Sequence, residues 1–235
     1  MLVEQCNFSN TNGTAPAAGI DLEPDGAHYD LVNITIRDCN AVNNSGHGLQ
    51  AWLNSGNAMS ISVVVERYHV VGGGSRSQNS GGFVFGRLHP PGGSIVIRDS
   101  SATDTPFDGV YVWDEIARNN GPAQSPFHLV FDNVTLTNTA TAVGALAEYT
   151  NQPGWASQLF APIGLDSLAT YGSSGLVLTN VTVHDSFRRA FLQANPKWNG
   201  QSAVSGTVRV FSPMPGCAIN STLPLANLTV ECGNV

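Results

Sequence analysis

The stretch Gly19-Ile-Asp-Leu-Glu-Pro-Asp25 is the part of the sequence from which the fold can be worked out. After the glycine, apolar and acidic residues alternate, which is the period of a β-strand with one buried face. Ile20 and Leu22 are therefore predicted to point inward. Asp21 and Glu23 are predicted to lie on the outer face, about 6.6 Å apart along the strand, which is a workable separation for two cooperating carboxyl groups.

The same pattern, a glycine followed by alternating residues, recurs along the chain. The matching segments are Gly48-Leu-Gln-Ala-Trp52, Gly82-Phe-Val-Phe-Gly86, Gly109-Val-Tyr-Val-Trp113 and, as a fifth, Gly144-Ala-Leu-Ala-Glu148. A second type of short strand, rich in β-branched residues and ending in a polar turn, alternates with these segments. It covers residues 1–6, 33–39, 62–68, 94–100, 128–134 and, more loosely, 175–181.

A two-strand unit that recurs about every thirty residues indicates a repeat architecture. No segment of helical period separates the strands, so β-α-β units are not expected. The pattern predicts an all-β fold, a parallel β-solenoid whose coils stack about 4.8 Å apart. A β-sandwich, the alternative, would need hairpin turns between neighbouring strands.

Composition narrows the classes of function. The formal net charge is −7 and Lys197 is the only lysine, which argues against nucleic acid and anionic membranes as partners. No apolar run is long enough to span a bilayer. The first six residues lack the features of a signal peptide and look like the middle of a strand, so we expect the chain to lack N-terminal coils and a cap.

The cysteines and the asparagines favour a secreted protein. Cys217 and Cys232 bracket a C-terminal segment, residues 216–235, which a disulfide could close after the coils of residues 1–215. Cys6 and Cys39 occupy equivalent repeat positions and could form a bridge or remain buried thiols. Eight Asn-x-Ser/Thr triplets are candidate glycosylation acceptors or products of turn chemistry; they begin at Asn7, Asn12, Asn33, Asn43, Asn133, Asn180, Asn220 and Asn227.

The segment from Phe8 to Pro24, followed by Leu31-Val-Asn-Ile-Thr-Ile-Arg-Asp-Cys39, resembles the right-handed parallel β-helix proteins of the pectin-lyase-like superfamily. The resemblance covers residues 1–215 as architecture and implies a secreted, polysaccharide-processing protein that uses the solvent face of one β-sheet. It does not imply one reaction type, because fold and chemistry separate freely.

Stacking of the glycine-led strands predicts two outward columns of side chains. One reads Asp21, Gln50, Val84, Tyr111, and the next reads Glu23, Trp52, Gly86, Trp113, with Glu148 as a continuation. Aromatic rings can stack on sugar faces, and carboxylates and amides bind hydroxyl groups. The expected substrate-binding residues are Gln50, Trp52, Arg87, Tyr111, Trp113 and Glu148, with a gap for the ligand above Gly86.

Asp21 and Glu23 are the main catalytic candidates, because glycosidases use one carboxyl as acid and another as base or nucleophile. Their spacing lies between the retaining and inverting values, so it does not predict the stereochemistry. A calcium site shared with Asp25 or a structural role in a turn are the alternatives. Hydrolysis requires no cofactor.

A second acidic cluster comprises Asp104, Asp108, Asp114 and Glu115. It is predicted to lie about three coils, or 14 Å, from Asp21, which suits a neighbouring sugar subsite. Asp108 precedes Gly109 and is expected to fix a turn, so Asp114 is the catalytic candidate of this group.

Two other functions remain open. A calcium-assisted polysaccharide lyase would need a base beside a uronate carboxylate and a cation to neutralise charge. Arg87, His47 and His89 are the candidates for that base. A non-catalytic glycan-binding or adhesive solenoid would use the same outer face without turnover.

Overall fold

The structure is a computed structural model that describes residues 1–12, 17–24, 30–53, 60–73, 81–86, 92–114, 127–141, 161–167, 174–194, 203–213, 217–220, 225 and 227–233. Within these ranges the protein is all-β and contains no helix. The strands are β1 (Leu2–Glu4), β2 (Asn7–Ser9), β3 (Ile20–Leu22), β4 (Leu31–Val42), β5 (Leu49–Trp52), β6 (Ile61–Val71), β7 (Phe83–Gly86), β8 (Gly93–Arg98), β9 (Ser101–Thr103), β10 (Val110–Asp114), β11 (Phe127–Asp132), β12 (Thr135–Thr137), β13 (Ile163–Ser167), β14 (Ser174–His184), β15 (Leu192–Ala194), β16 (Ala203–Phe211), β17 (Ile219–Asn220) and β18 (Asn227–Gly233).

The strands form two sheets in which the described pairings are parallel. Sheet B has seven strands in the order β17-β15-β13-β10-β7-β5-β3, and sheet A contains the other eleven. The chain alternates between the sheets, and each strand pairs with the corresponding strand of the next repeat. This alternation is compatible with a β-solenoid, and no hairpin pairing occurs among the described strands.

The predicted register of sheet B is confirmed over its first four strands. Asp21 pairs with Gln50, Gln50 with Val84, and Val84 with Tyr111. The inward residues on either side of this column are buried, or in the case of Ile20 and Val112 partly buried, and all pack in the core, as the alternation predicted.

The predicted fifth strand of sheet B is wrong. β10 lies between β7 and β13, so Ile163, and not a residue of segment 144–148, pairs with Val110. Pro162 takes the place of the glycine that precedes the first four strands of sheet B, and its carbonyl accepts the Val110 N–H at 3.0 Å. The position beyond Trp113 in its column is therefore Asp166.

Sheet A bends at one residue of each coil. That residue adopts a left-handed conformation with φ between 50° and 55°, and in successive coils it is Gln5, Asp38, Arg67, Asp99, Asn133 and Asn180. Asparagine and aspartate tolerate this conformation better than most residues. The corner turns the inward side of both halves of sheet A toward the same core.

The core lies between the two sheets and is rich in aromatic residues. Phe131 of sheet A contacts Phe83 and Phe85 of sheet B edge-on, with ring centroids 6.1 and 5.8 Å apart. Tyr68 is fully buried and its hydroxyl donates a 2.8 Å hydrogen bond to the carbonyl of Gly48. That bond ties sheet A to the start of a sheet B strand and satisfies a polar group that would otherwise be costly to bury.

Two further features lie near the C-terminal coils. Cys217 and Cys232, the pair that the sequence predicted to be bonded, are joined by a disulfide with Cα atoms 5.8 Å apart.

Arg189 pairs through Nε with the buried carboxylate of Asp185 at 2.8 Å, and its other nitrogens donate to the carbonyls of Ala140 and Thr139. The guanidinium thereby joins the turns of two coils. Nowhere in the described ranges is there a helix of the length and apolarity that crossing a membrane requires.

Candidate functional site

The candidate site lies on the outer face of sheet B, at the edge strand β3. Asp21 and Glu23 are exposed there, while Leu22 and Pro24 between and beyond them are buried. The alternation of burial thus leaves both Asp21 and Glu23 exposed to solvent. Gln50 on β5 donates a hydrogen bond from Nε2 to Asp21 Oδ1 at 3.1 Å.

Gln50 is 5% exposed and Asp21 is open to solvent. A buried amide beside an exposed carboxylate acts as a fixed donor, because burial restricts its rotation and leaves its N–H few other acceptors. The structure therefore joins Gln50 and Asp21, two of the residues predicted from the sequence, by a direct hydrogen bond, and burial fixes the orientation of the Gln50 amide.

The turn of residues 43–48, which precedes β5, holds the segment that leads to β3 in place. Asn44 is buried, its Oδ1 accepts the Thr11 N–H at 3.1 Å, and its Nδ2 donates to the Phe8 carbonyl at 2.9 Å. The Gly19 N–H then donates to the carbonyl of His47 at 2.9 Å. These bonds dock the segment leading to β3 onto the next coil. Asn44 was missed from the sequence, where only its place beside Asn43 in a polar turn hinted at a role.

His47, one of the candidates for a lyase base, is buried inside this turn. Its Nδ1 accepts the Gly81 N–H at 3.2 Å, and only 5% of the residue is exposed. Burial lowers the pKa of His47 to about 3, because a charged imidazolium is disfavoured away from water. The geometry indicates a neutral, structural histidine that holds the Gly81 turn.

The expected gap above Gly86 is filled. A Cβ atom on Gly86 would overlap the six-membered ring of Trp52. The indole ring therefore lies directly over Gly86. Trp52 is partly buried and packs against Val84 and Tyr111 in a small apolar cluster on the outer face. The prediction that a ligand sits over Gly86 is wrong in this structure, because the side chain of the preceding coil occupies the space.

The outer face is less exposed than the sequence predicted. Val84 and Tyr111 are 1% and 4% exposed, so the Tyr111 ring does not lie on an open surface. A Cβ atom on Gly164 would lie 3.1 Å from Tyr111 Cδ2 and would overlap the carboxylate of Asp108. Asp108 is buried and its Oδ1 accepts the Ala161 N–H at 3.2 Å, which ties the turn before β10 to the residues that precede β13.

Trp113 and Asp114 end β10, where they pair with Asp166 and Ser167 of β13. β10 is the third strand from β3 in sheet B, so about 14 Å separates the two strands at the usual strand spacing. Asp104 occupies a left-handed corner. The candidates Asp25, Arg87, His89, Glu115 and Glu148 lie outside the described residues.

Four of the eight glycosylation triplets begin at left-handed corners of the coils. Their asparagines have φ between 50° and 54°, the next residue points inward and is buried, and the Ser or Thr follows it. The four are Asn33, Asn43, Asn133 and Asn180. The left-handed backbone at these positions is a structural reason for asparagine to occur there. The side chain of Asn133 donates from Nδ2 to Asp99 Oδ1 at 2.7 Å, which links two such corners.

Cys6 and Cys39 are free thiols stacked on neighbouring coils. The Cys6 N–H donates to Cys39 Sγ at 3.4 Å, and each thiol donates to a carbonyl of its own coil. Burial raises the pKa of the Cys39 thiol. The structure places the pair together without joining them.

A ladder of alternating charge along sheet A was not foreseen from the sequence. In five successive coils one outward position holds Glu4, Arg37, Glu66, Arg98 and Asp132. Arg37 donates to Glu4 at 2.6 Å, and Arg98 donates through Nε to Glu66 at 2.8 Å. The hydrogen bond from Arg98 lowers the pKa of Glu66. The aligned strands contained this signal, since acid and base alternate at one repeat position.

No group of three or more His, Cys, Asp or Glu side chains within the described ranges is arranged to hold a metal ion. Comparisons with protein-family models, curated proteins and solved structures find no match to this chain.

Proposed function

We propose that the chain is a right-handed parallel β-helix of the pectin-lyase-like kind that acts on a polysaccharide, hydrolysing a glycosidic bond with Asp21 and Glu23. The observation that carries this proposal is the pair of exposed carboxyl groups of Asp21, on β3, and Glu23, directly after it, with the buried Gln50 amide bonded to Asp21 Oδ1 at 3.1 Å. A pair of carboxyl groups is what glycosidic bond hydrolysis requires.

The hydrogen bond from Gln50 supports a specific role for Asp21. An amide N–H donor stabilises an ionised carboxylate, so Asp21 is proposed as the base or nucleophile. Glu23 is then the acid that protonates the leaving oxygen. A division of this kind, set by environment and not by residue type, is how one site supplies both an acid and a base near neutral pH.

The rest of sheet B supplies contacts for the glycan. Trp52 is partly buried on the outer face, and the accessible part of an aromatic ring can pack against a sugar ring. Asp114 is proposed to act at a neighbouring sugar subsite and not on the same bond, because three strand spacings separate it from Asp21. Secretion is part of the proposal, and the Cys217–Cys232 disulfide supports it.

Product analysis on a panel of neutral glycans and polygalacturonate, with and without calcium, tests the proposal. We expect new reducing ends on saturated oligosaccharides, because hydrolysis adds water across the bond. Unsaturated products that absorb in the ultraviolet would replace hydrolysis by the calcium-assisted lyase. Retention of glycan without any product would replace it by a non-catalytic, adhesive solenoid.

A further inference from the structure

A polar pocket lies on the outer face of sheet A, near the C-terminal coils and away from the acids of sheet B. Its volume is about 230 Å³, and it is lined by Asn133, Asn180, Thr182, Thr207, Arg209 and Glu231. Thr182, Arg209 and Glu231 occupy one outward column on β14, β16 and β18. Asn133 and Asn180 contribute from the adjoining left-handed corners.

The chemistry of the lining is that of hydroxyl recognition. Amides and hydroxyls both donate and accept, the guanidinium of Arg209 donates, and the carboxylate of Glu231 accepts. Nε and Nη2 of Arg209 both lie 3.0 Å from Glu231 Oε2, so the Nη1 group of the guanidinium is not engaged in that pair. Both side chains remain about half exposed, at 58% and 51%, which leaves them accessible to a ligand.

The charges of the lining favour an uncharged ligand. Arg209 is the only cationic side chain among the six lining residues, and Glu231 already pairs with it. An anionic group would gain little from a compensated guanidinium and would meet the carboxylate beside it. The volume is below the roughly 300–1,000 Å³ of pockets that hold drug-sized ligands, so it suits one ring and not an extended chain.

An aromatic pair flanks the pocket on the same strands. His184 and Phe211 lie two residues beyond Thr182 and Arg209, about 6.6 Å along the strand, and their rings stack with centroids 4.8 Å apart and planes 8° apart. A Cβ atom on Gly233 would lie 2.5 Å from the Phe211 ring. Gly233 contributes no side chain there, and the apolar ring complements the polar lining of the pocket.

We propose that this pocket is a saccharide-binding site that takes a single neutral pyranose ring, with Arg209 and Glu231 bound to its hydroxyl groups. Phe211 contacts its apolar edge. The site is on a different sheet from Asp21 and Glu23 and does not depend on any hydrolysis there. It would hold one sugar ring of a glycan while another part of the same glycan is bound at a different site on the protein.

The test uses protein produced in bacteria, so that Asn133 and Asn180 carry no glycan. Saturation-transfer NMR is measured with methyl β-glucopyranoside and methyl β-galactopyranoside as neutral probes, and with galacturonate as the anionic probe. We expect transfer to a neutral probe, weaker or no transfer to galacturonate, and loss of the signal in Arg209→Gln. Arg37→Gln is the matched control, because Arg37 forms a similar exposed pair with Glu4 on the same sheet.

Exposed ion pairs contribute little to stability, so Arg209→Gln is expected to fold. As a second measurement, the Nε–Hε resonance of Arg209 in the unsubstituted protein should shift when the neutral probe is added. Several results would overturn the proposal: no transfer to either neutral probe, equal transfer in both arginine variants, or preference for galacturonate. A signal lost in Asp21→Asn but kept in Arg209→Gln would place the sugar on sheet B and would equally overturn it.

Discussion

Replacing His47 tests whether the turn that positions β3 and β5 depends on a buried neutral imidazole. The folded protein holds the pKa of His47 at about 3 through burial, whereas a histidine in the unfolded chain titrates near 6.5. The folded pKa is the lower one, so the unfolded state binds more protons as the pH falls. The stability that the neutral ring contributes is therefore present above about pH 6.5 and is lost as the pH falls toward 3.

The size of the effect follows from the two pKa values. Between pH 7 and pH 5 the unfolded state takes up most of one proton at His47 and the folded state takes up almost none. This linkage reduces the free energy of unfolding by about 2 kcal/mol across that interval. Hydrogen bonds from Arg67 and Arg98 lower the pKa values of Asp38 and Glu66. The stability that these two carboxylates contribute is lost only below this pH interval, so it does not obscure the effect of His47.

The assay is urea unfolding of the unsubstituted protein and of His47→Gln at pH 7 and pH 5. Glutamine can still accept the Gly81 N–H but does not titrate, so the loss of stability between the two pH values should shrink by about 2 kcal/mol. Ile36→Val is the control: it weakens the core and should shift both curves equally. An unchanged pH dependence in His47→Gln would refute the assignment of His47 as a buried neutral acceptor.

Three other substitutions test the packing described above. Gly86→Ala should displace the Trp52 ring, cost about 1–3 kcal/mol through overpacking and change the tryptophan fluorescence; an unchanged spectrum and stability would mean that the ring does not lie over Gly86. Glu66→Gln should lower the urea midpoint more than Glu4→Gln, because the Glu66 side chain is 10% exposed and bonded to two arginines whereas that of Glu4 is 42% exposed; equal shifts would contradict the ladder. Arg189→Gln should cost about 3–5 kcal/mol, since it leaves a buried carboxylate without its cation, and a loss below 1 kcal/mol in the same unfolding assay would contradict a buried pair.

The register of the first four sheet B strands could be predicted because a glycine precedes each of them and alternation fixes which residues face out. That is why Asp21 faces Gln50 in the structure as it does in the alignment. No glycine precedes the fifth strand, β13, because Pro162 stands in its place. The pattern therefore matched the glycine-led segment 144–148 and missed β13.

The exposure of the outer face could not be predicted from the strand pattern. Each outward aromatic described here leans over a glycine of the next strand: Trp52 over Gly86, Tyr111 over Gly164, and Phe211 over Gly233. Alternation says which side of a sheet a residue occupies, but it does not say whether a neighbouring ring covers it. Of these three pairs, the aligned strands contained only that of Trp52 with Gly86.

Chain geometry also explains half of the glycosylation triplets. A left-handed backbone favours asparagine, the next residue is buried, and the residue after it is partly exposed, where Ser or Thr is tolerated. Asn133 and Asn180 illustrate this order in adjacent coils. A triplet count therefore overstates the case for glycosylation in a repeat of this kind.

The most direct test of the proposed function is the initial rate of glycosidic bond cleavage in Asp21→Asn and Glu23→Gln, on whichever glycan the unsubstituted protein cleaves. Both carboxyl groups act in the reaction in our account, so each variant should lose at least about 100-fold in rate while keeping its urea midpoint. Glu4→Gln, an exposed acid on sheet A, should keep full activity. Full activity in both Asp21→Asn and Glu23→Gln would contradict the account.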